Sequence, residues 1–130
     1  MMPNPTAHPQ RVTWTAIPGR GRGVVALEDC AAGTELERAP VIVVPGDQLQ
    51  YRPGDPTVLE QYLLYWSDEP GQELCMGEGL LMMYNHSRTP NVEFFSGPEP
   101  FTMSVIALRD VSAGEELLYD YDCELWFEES

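Results

Sequence analysis

No lysine occurs anywhere in these 130 residues. The positive charge comes from seven Arg, set against 21 Asp and Glu, for a net charge of −14. Such a chain repels nucleic acid and attracts basic partners. Read blandly, the same charge only keeps a protein soluble. Cysteine is scarce as well. Cys30, Cys75 and Cys123 stand alone with no Cys-x-x-Cys pair, which argues against a zinc site and for reduced thiols. No apolar run approaches the roughly 20 residues that span a membrane. Met1 to Gln10 is polar and Pro-rich with no apolar stretch, so it is expected as a disordered arm and not as a signal peptide. With no signal, anchor or basic localisation cluster, the expectation is a cytoplasmic protein. Asn85-His86-Ser87 fits a glycosylation sequon, a chance match in a chain without a secretory signal.

What remains, residues 11–130, is the size of one domain with one real core. Arg11 to Thr15 alternates and reads as a short strand. Gly19, Gly21 and Gly23 then alternate with other residues, which lets the backbone turn and approach a ligand closely. Gly23 to Leu27 and Glu35 to Val44 read as strands. Thr57 to Trp66 is the one expected helix: Thr57 and Glu60 form a capping box, and Val58, Leu59, Tyr62, Leu63 and Trp66 share a face. Ser67 to Gly79 reads as an acidic, Gly-rich loop. Asn91 to Ser96 and Phe101 to Arg109 form a hairpin, and Glu115 to Tyr121 is the last strand. Leu27 to Glu35 (LEDCAAGTE) echoes Leu108 to Glu116 (LRDVSAGEE), which suggests two related hairpins. Many short β segments, one short helix and frequent turns make the fold mostly β.

Between two apolar runs lies Asn85-His86-Ser87-Arg88-Thr89-Pro90-Asn91. Small polar side chains bond nearby backbone and Pro fixes its own φ, so this is a tight, shaped loop. Alone it is a well-made turn. It is followed by Gly114-Glu115-Glu116-Leu117-Leu118-Tyr119-Asp120-Tyr121. The ordered pair, NHS-x-x-PN and then GEEL-x-x-DY, resembles the SET-domain family of lysine methyltransferases. The likeness extends from Pro18 to Phe127.

The resemblance implies a β-clip of small sheets, with the last segment crossing under the NHS loop in a knot-like way. It implies S-adenosylmethionine as cofactor, held by Gly21, Arg22 and Gly23 through backbone groups, by Asn85 and His86, by Tyr121, and by Trp126 stacking on adenine. It implies Tyr121 as the catalytic Tyr, and Tyr119 as a position where a hydroxyl narrows the pocket toward monomethylation. Each residue also has a plainer reading: a hairpin turn, a structural His, strand Tyr residues, a core-sealing Trp. Arg88 stands where the family often has Cys, and Asp122 where Gly often follows the catalytic Tyr.

The chemistry is compatible with the composition. Methyl transfer to an amine needs no metal and no covalent nucleophile, only a neutral amine in line with the methyl in a dry channel. Lysine is charged in water, and an apolar channel beside a sulfonium disfavours that charge. The expected partner is a basic, lysine-containing protein segment: histone-like, ribosomal or DNA-binding. A methyltransferase without lysine also has no lysine of its own to modify. Cys-rich flanking modules of the family are absent, and little chain follows Trp126, so a second subunit is expected to complete the channel as a homodimer. One rival is a catalytically silent SET-like module that binds a basic partner. Another is a structural β-clip protein with no ligand.

Overall fold

The computed structural model describes residues 10–44, 64–66 and 74–120. Of the arm expected over Met1 to Gln10, only Gln10 falls within them, and it bridges to Glu37. Two sheets are formed by the described residues. The first has four strands in the order β1-β2-β9-β6: β1 (Val12–Ile17), β2 (Gly21–Ala26), β9 (Glu116–Tyr119) and β6 (Asn85–His86). The second has five, in the order β4-β5-β3-β8-β7: β4 (Leu64–Tyr65), β5 (Leu74–Gly77), β3 (Glu35–Val44), β8 (Thr102–Ala107) and β7 (Val92–Ser96). All pairings are antiparallel except β6 with β9, which run parallel. The mostly-β expectation holds. Leu36, Val24, Leu81, Val105, Leu117, Cys75 and Tyr84 lie in the core between the strands, each fully buried or nearly so.

One expected element is corrected. Thr57–Trp66 falls largely outside the described residues, but its last part is not helical. Leu64 and Tyr65 form β4 and pair with Cys75 and Leu74. The capping box and one-face spacing are local signals. A short apolar run such as Leu63-Leu64 suits either period, and here the distant partner decides. That partner, β5, lies inside the stretch expected as loop. Leu74 to Gly77 is too short and mixed in character to announce a strand.

The sequence echo is realised as a local twofold arrangement. Cys30 and Val111 exchange backbone hydrogen bonds of 2.9 and 2.8 Å. Asp29 Oδ1 accepts from Ala113 N at 2.8 Å, and Asp110 Oδ1 accepts from Ala32 N at 2.9 Å. Gly33 N donates to Ala107 O, and Gly114 N donates to Ala26 O, at 2.8 and 2.7 Å. Gly33 and Gly114 both take left-handed φ, +87° and +83°, which only Gly adopts without strain. Each turn is thus held by the other hairpin's aspartate. The clamp also brings Glu115 O onto Ala26 N, which sets how β9 enters beside β2. Asp29→Ala and Asp110→Ala are expected to destabilise equally, each by about 0.5–1.5 kcal/mol, in urea unfolding. Clearly unequal losses would mean that the two turns are not equivalent supports.

Candidate active site

β9 is the strand on which the site is assembled. It lies between β2, which carries Gly21 to Gly23, and β6, which carries Asn85 and His86. Three segments remote in sequence therefore meet side by side. Val24 pairs with Leu117; Asn85 pairs with Leu118 and His86 with Tyr119.

Asn85 joins all three strands. Its Nδ2 donates to Arg22 O at 2.9 Å and to Glu116 Oε2 at 2.7 Å. Gly23 makes room for this junction. A Cβ on Gly23 would stand 2.4 Å from Glu116 Oε2 and 2.8 Å from Asn85 Nδ2. Gly21 differs: its φ is +76°, and an added Cβ would meet nothing within 4 Å, so the backbone there is approachable. From the turn before β2, Arg20 donates through a guanidinium nitrogen to His86 O at 3.0 Å. The His86 ring is buried, with Nδ1 3.8 Å from Asp120 Oδ1.

The loop after β6 is tied to β9 at both ends. Ser87 N donates to Tyr119 O and Asn91 N to Leu118 O, each at 3.0 Å. The Asn91 side chain, 2% exposed, adds three bonds. Its Nδ2 donates to Glu116 O at 2.9 Å and to Glu115 Oε2 at 3.1 Å, and its Oδ1 accepts from Leu118 N at 2.7 Å. Within the loop, Ser87 Oγ accepts from Thr89 N at 3.0 Å. So β9 is bonded to both ends of the NHS loop.

Tyr119, at the end of β9, enters an aromatic cluster. Its ring stacks on Phe94, with centroids 4.3 Å apart and planes 13° from parallel. Tyr84 meets both rings edge-on, at 5.1 Å from Phe94 and 6.4 Å from Tyr119. The buried Tyr84 hydroxyl donates to Glu37 Oε1 at 2.8 Å. Burial raises the pKa of both Tyr84 and Glu37; the carboxylate's charge pushes Tyr84 further up, while the bonds from Leu80 N and Tyr84 partly hold Glu37 down.

The structure therefore brings Gly21, Arg22, Gly23, Asn85, His86 and Tyr119 into one neighbourhood. Tyr121 and Trp126 lie outside the described residues. Asn91, Tyr84 and Glu37 join the site without a role expected from sequence. Asn91 closes the NHS-x-x-PN motif, so a signal is present for it; Tyr84 and Glu37 carry none.

This is also the region that known proteins share. The SET-domain model matches residues 21–122. A histone-lysine N-methyltransferase of Schizosaccharomyces pombe, specific for H3 lysine-37, is 38% identical over 110 residues, covering 85% of this chain and 72% of that protein. The chain belongs to the SET-domain family of protein-lysine methyltransferases. Its fold is that of a Plasmodium falciparum protein described as a candidate histone methyltransferase, with a TM-score of 0.65 over 91% of this chain and 98% of that one. At 22% identity that likeness speaks for the fold alone. Membership in the SET family makes the protein a lysine methyltransferase by class, and gives the junction of β2, β6 and β9 a chemical setting.

Proposed function

We propose that this SET protein transfers a methyl group from S-adenosylmethionine to a lysine in a basic protein segment, and that it favours a single transfer. The observation that carries the reading is the parallel pairing of β6 with β9. It sets Asn85 and His86 beside Gly21–Gly23 on one side and the Tyr119 aromatic cluster on the other.

The donor set fits such a cofactor. Asn85 gives Nδ2 to Arg22 O and Glu116 Oε2, which leaves Oδ1 as the atom it can turn to a ligand's ammonium. The Glu116 carboxylate adds negative charge beside it, which suits a cationic ligand. The open backbone at Gly21 admits close approach. When bound, S-adenosylmethionine supplies an electrophilic methyl carbon on a sulfonium. The chain's own residues deliver the amine. Tyr84, Phe94 and Tyr119 form an apolar wall that disfavours ammonium, so the lysine gives its proton to solvent and reacts as the neutral amine. They also keep water away. Tyr121 is the residue we assign to orienting the amine.

The net charge of −14 supports a basic segment as substrate. The histone specificity of the Schizosaccharomyces pombe relative is in keeping with that choice.

Calorimetric titration with S-adenosylmethionine tests the proposal. One-site binding is expected, and Asn85→Ala should weaken it on the order of 10–100-fold, the cost of a lost bond to a charged group together with a loosened junction. No binding by the folded protein, with or without an Arg-rich lysine peptide present, would remove the cofactor from the account.

A further inference from the structure

We infer that Glu37 is a positioning residue for the methyl-transfer pocket, acting through Tyr84 on the ring of Tyr119 and so on how many methyl groups the pocket admits. This rests on the proposed role of Tyr119.

Glu37 is an unusual occupant of a core. It is 0% exposed and sits on β3 among Leu36, Val105 and Ala39. A buried carboxylate costs far more than the Leu that would fill the same slot. The backbone is shaped to hold it. The register of β3 against β8 shifts between Glu35 and Glu37, a bulge of the kind that re-aims a side chain. Gly79, at φ +59°, leaves the space the carboxylate needs; a Cβ there would stand 2.6 Å from Glu37 Oε2. Both oxygens are then used. Oε2 accepts from Leu80 N at 2.7 Å, and Oε1 accepts from the Tyr84 hydroxyl at 2.8 Å.

The second of these bonds reaches the pocket. Tyr84 precedes Asn85 directly and is 2% exposed. Its hydroxyl is anchored by Glu37, and its ring presses edge-on against both members of the Phe94–Tyr119 stack. A ring held at its hydroxyl cannot swing about its Cβ. Tyr119 is therefore bounded by Phe94 on one face and by a fixed Tyr84 at its edge. Leu80 and Tyr84 flank the turn that leads into β6, so the one carboxylate also fixes the approach to Asn85 and His86. Packing alone would be served by an apolar pair at 37 and 84; a hydroxyl held by a carboxylate adds direction, which packing does not.

The test uses the full chain with a peptide carrying one lysine flanked by arginines. Glu37→Leu keeps the bulk and removes both acceptors, so the Tyr84 hydroxyl loses its anchor. Tyr84→Phe keeps the ring and removes only its tether. In each, the ratio of dimethyl to monomethyl product, read by mass spectrometry, is expected to rise roughly tenfold, the scale of a misplaced group in a tight pocket. The double variant should show no more than either single one, because both cut the same link. The ratio is read at equal conversion of the peptide, so a smaller folded fraction cannot imitate a rise. The second readout is the ring 13C–1H resonance of Tyr119, from protein grown on ring-labelled tyrosine and assigned by its loss in Tyr119→Phe. It should shift in both single variants.

An unmoved Tyr119 resonance in Glu37→Leu and Tyr84→Phe overturns the inference whatever the ratio does. Additive effects in the double variant overturn the claim that Glu37 works through Tyr84. If Tyr119→Phe itself leaves the product ratio as in the parent, it is the reading of Tyr119 that fails. The resonances then still decide whether Glu37 positions that ring.

Discussion

Asn91→Ala is expected to lower stability by about 3–5 kcal/mol and to cost most of the activity with it. The side chain replaced is 2% exposed and makes two bonds to the strand that carries the site and a third to Glu115 just before it. Alanine leaves Leu118 N and Glu116 O inside the protein without those partners, and each such group costs about 1–3 kcal/mol. Domains of this size have only about 5–15 kcal/mol in hand. A fall in melting temperature on the order of 10 °C is the corresponding thermal shift. Asn91→Asp is not a rescue: an ionised carboxylate accepts from Leu118 N but cannot donate to Glu116 O, and it sets a second charge beside Glu115 Oε2. Urea unfolding of the three proteins checks the expectation. A loss below about 1 kcal/mol for alanine would show that water replaces the side chain and that the loop is held by its backbone bonds alone.

The prediction joins stability to function because both act through β9. Glu116, Leu117, Leu118 and Tyr119 receive bonds from β2, from β6 and from the NHS loop. Loosening the loop at Asn91 moves the same strand that places Tyr119 against Phe94. An alteration of about 1 Å in such a site can cost 100-fold in rate. The activity of Asn91→Ala should therefore fall further than its folded fraction does.

Much of this arrangement is legible in the amino-acid sequence, and the reasons differ by element. The hairpins are written in local patterns. The expected β3 and the observed one share both ends, Glu35 and Val44, because a long β-rich run between turn residues has no rival reading. The LEDCAAGTE and LRDVSAGEE echo becomes a pair of turns because each depends on a Gly at positive φ and an Asp placed to cap the other. The motifs name Asn85, His86 and Tyr119, and the strands do place these together.

What is not legible depends on contacts far along the chain. Leu64 and Tyr65 carry no mark that says strand; their partners, Cys75 and Leu74, decide it. Glu37 lies in the charged run Glu35-Leu36-Glu37-Arg38 and reads as an exposed strand residue, and its burial goes with the bulge at Glu35–Glu37. Tyr84 reads as the end of an apolar run. Its importance lies in a carboxylate 47 positions away in sequence. Arg22 is expected to offer its backbone to a ligand, yet its carbonyl is already bonded to Asn85, so part of the Gly-x-Gly segment serves the junction itself.

On the proposed reading of a pocket limited to one transfer, Tyr119→Phe is expected to let the protein add a second methyl. The substitution is clean on structural grounds. The Tyr119 ring is stacked on Phe94 at 4.3 Å and edged by Tyr84, and a Phe ring keeps both contacts. Only the hydroxyl goes, along with any water it holds. Removing one such group vacates space of the order of one methyl and forfeits one hydrogen bond, about 0.5–1.5 kcal/mol. That is up to about a tenfold change in the partition between one transfer and two. The first transfer should be affected much less, because the amine that enters first is smaller and needs no extra room. Mass spectrometry of a single-lysine, Arg-flanked peptide over a time course reads both steps in one experiment. A dimethyl product that climbs while the rate of first transfer stays within about threefold of the parent fits a pocket limited by that hydroxyl. Equal loss of both steps would instead place the hydroxyl in the transfer itself, and the limit on methyl number would have to be sought elsewhere along the wall formed by Tyr84 and Phe94.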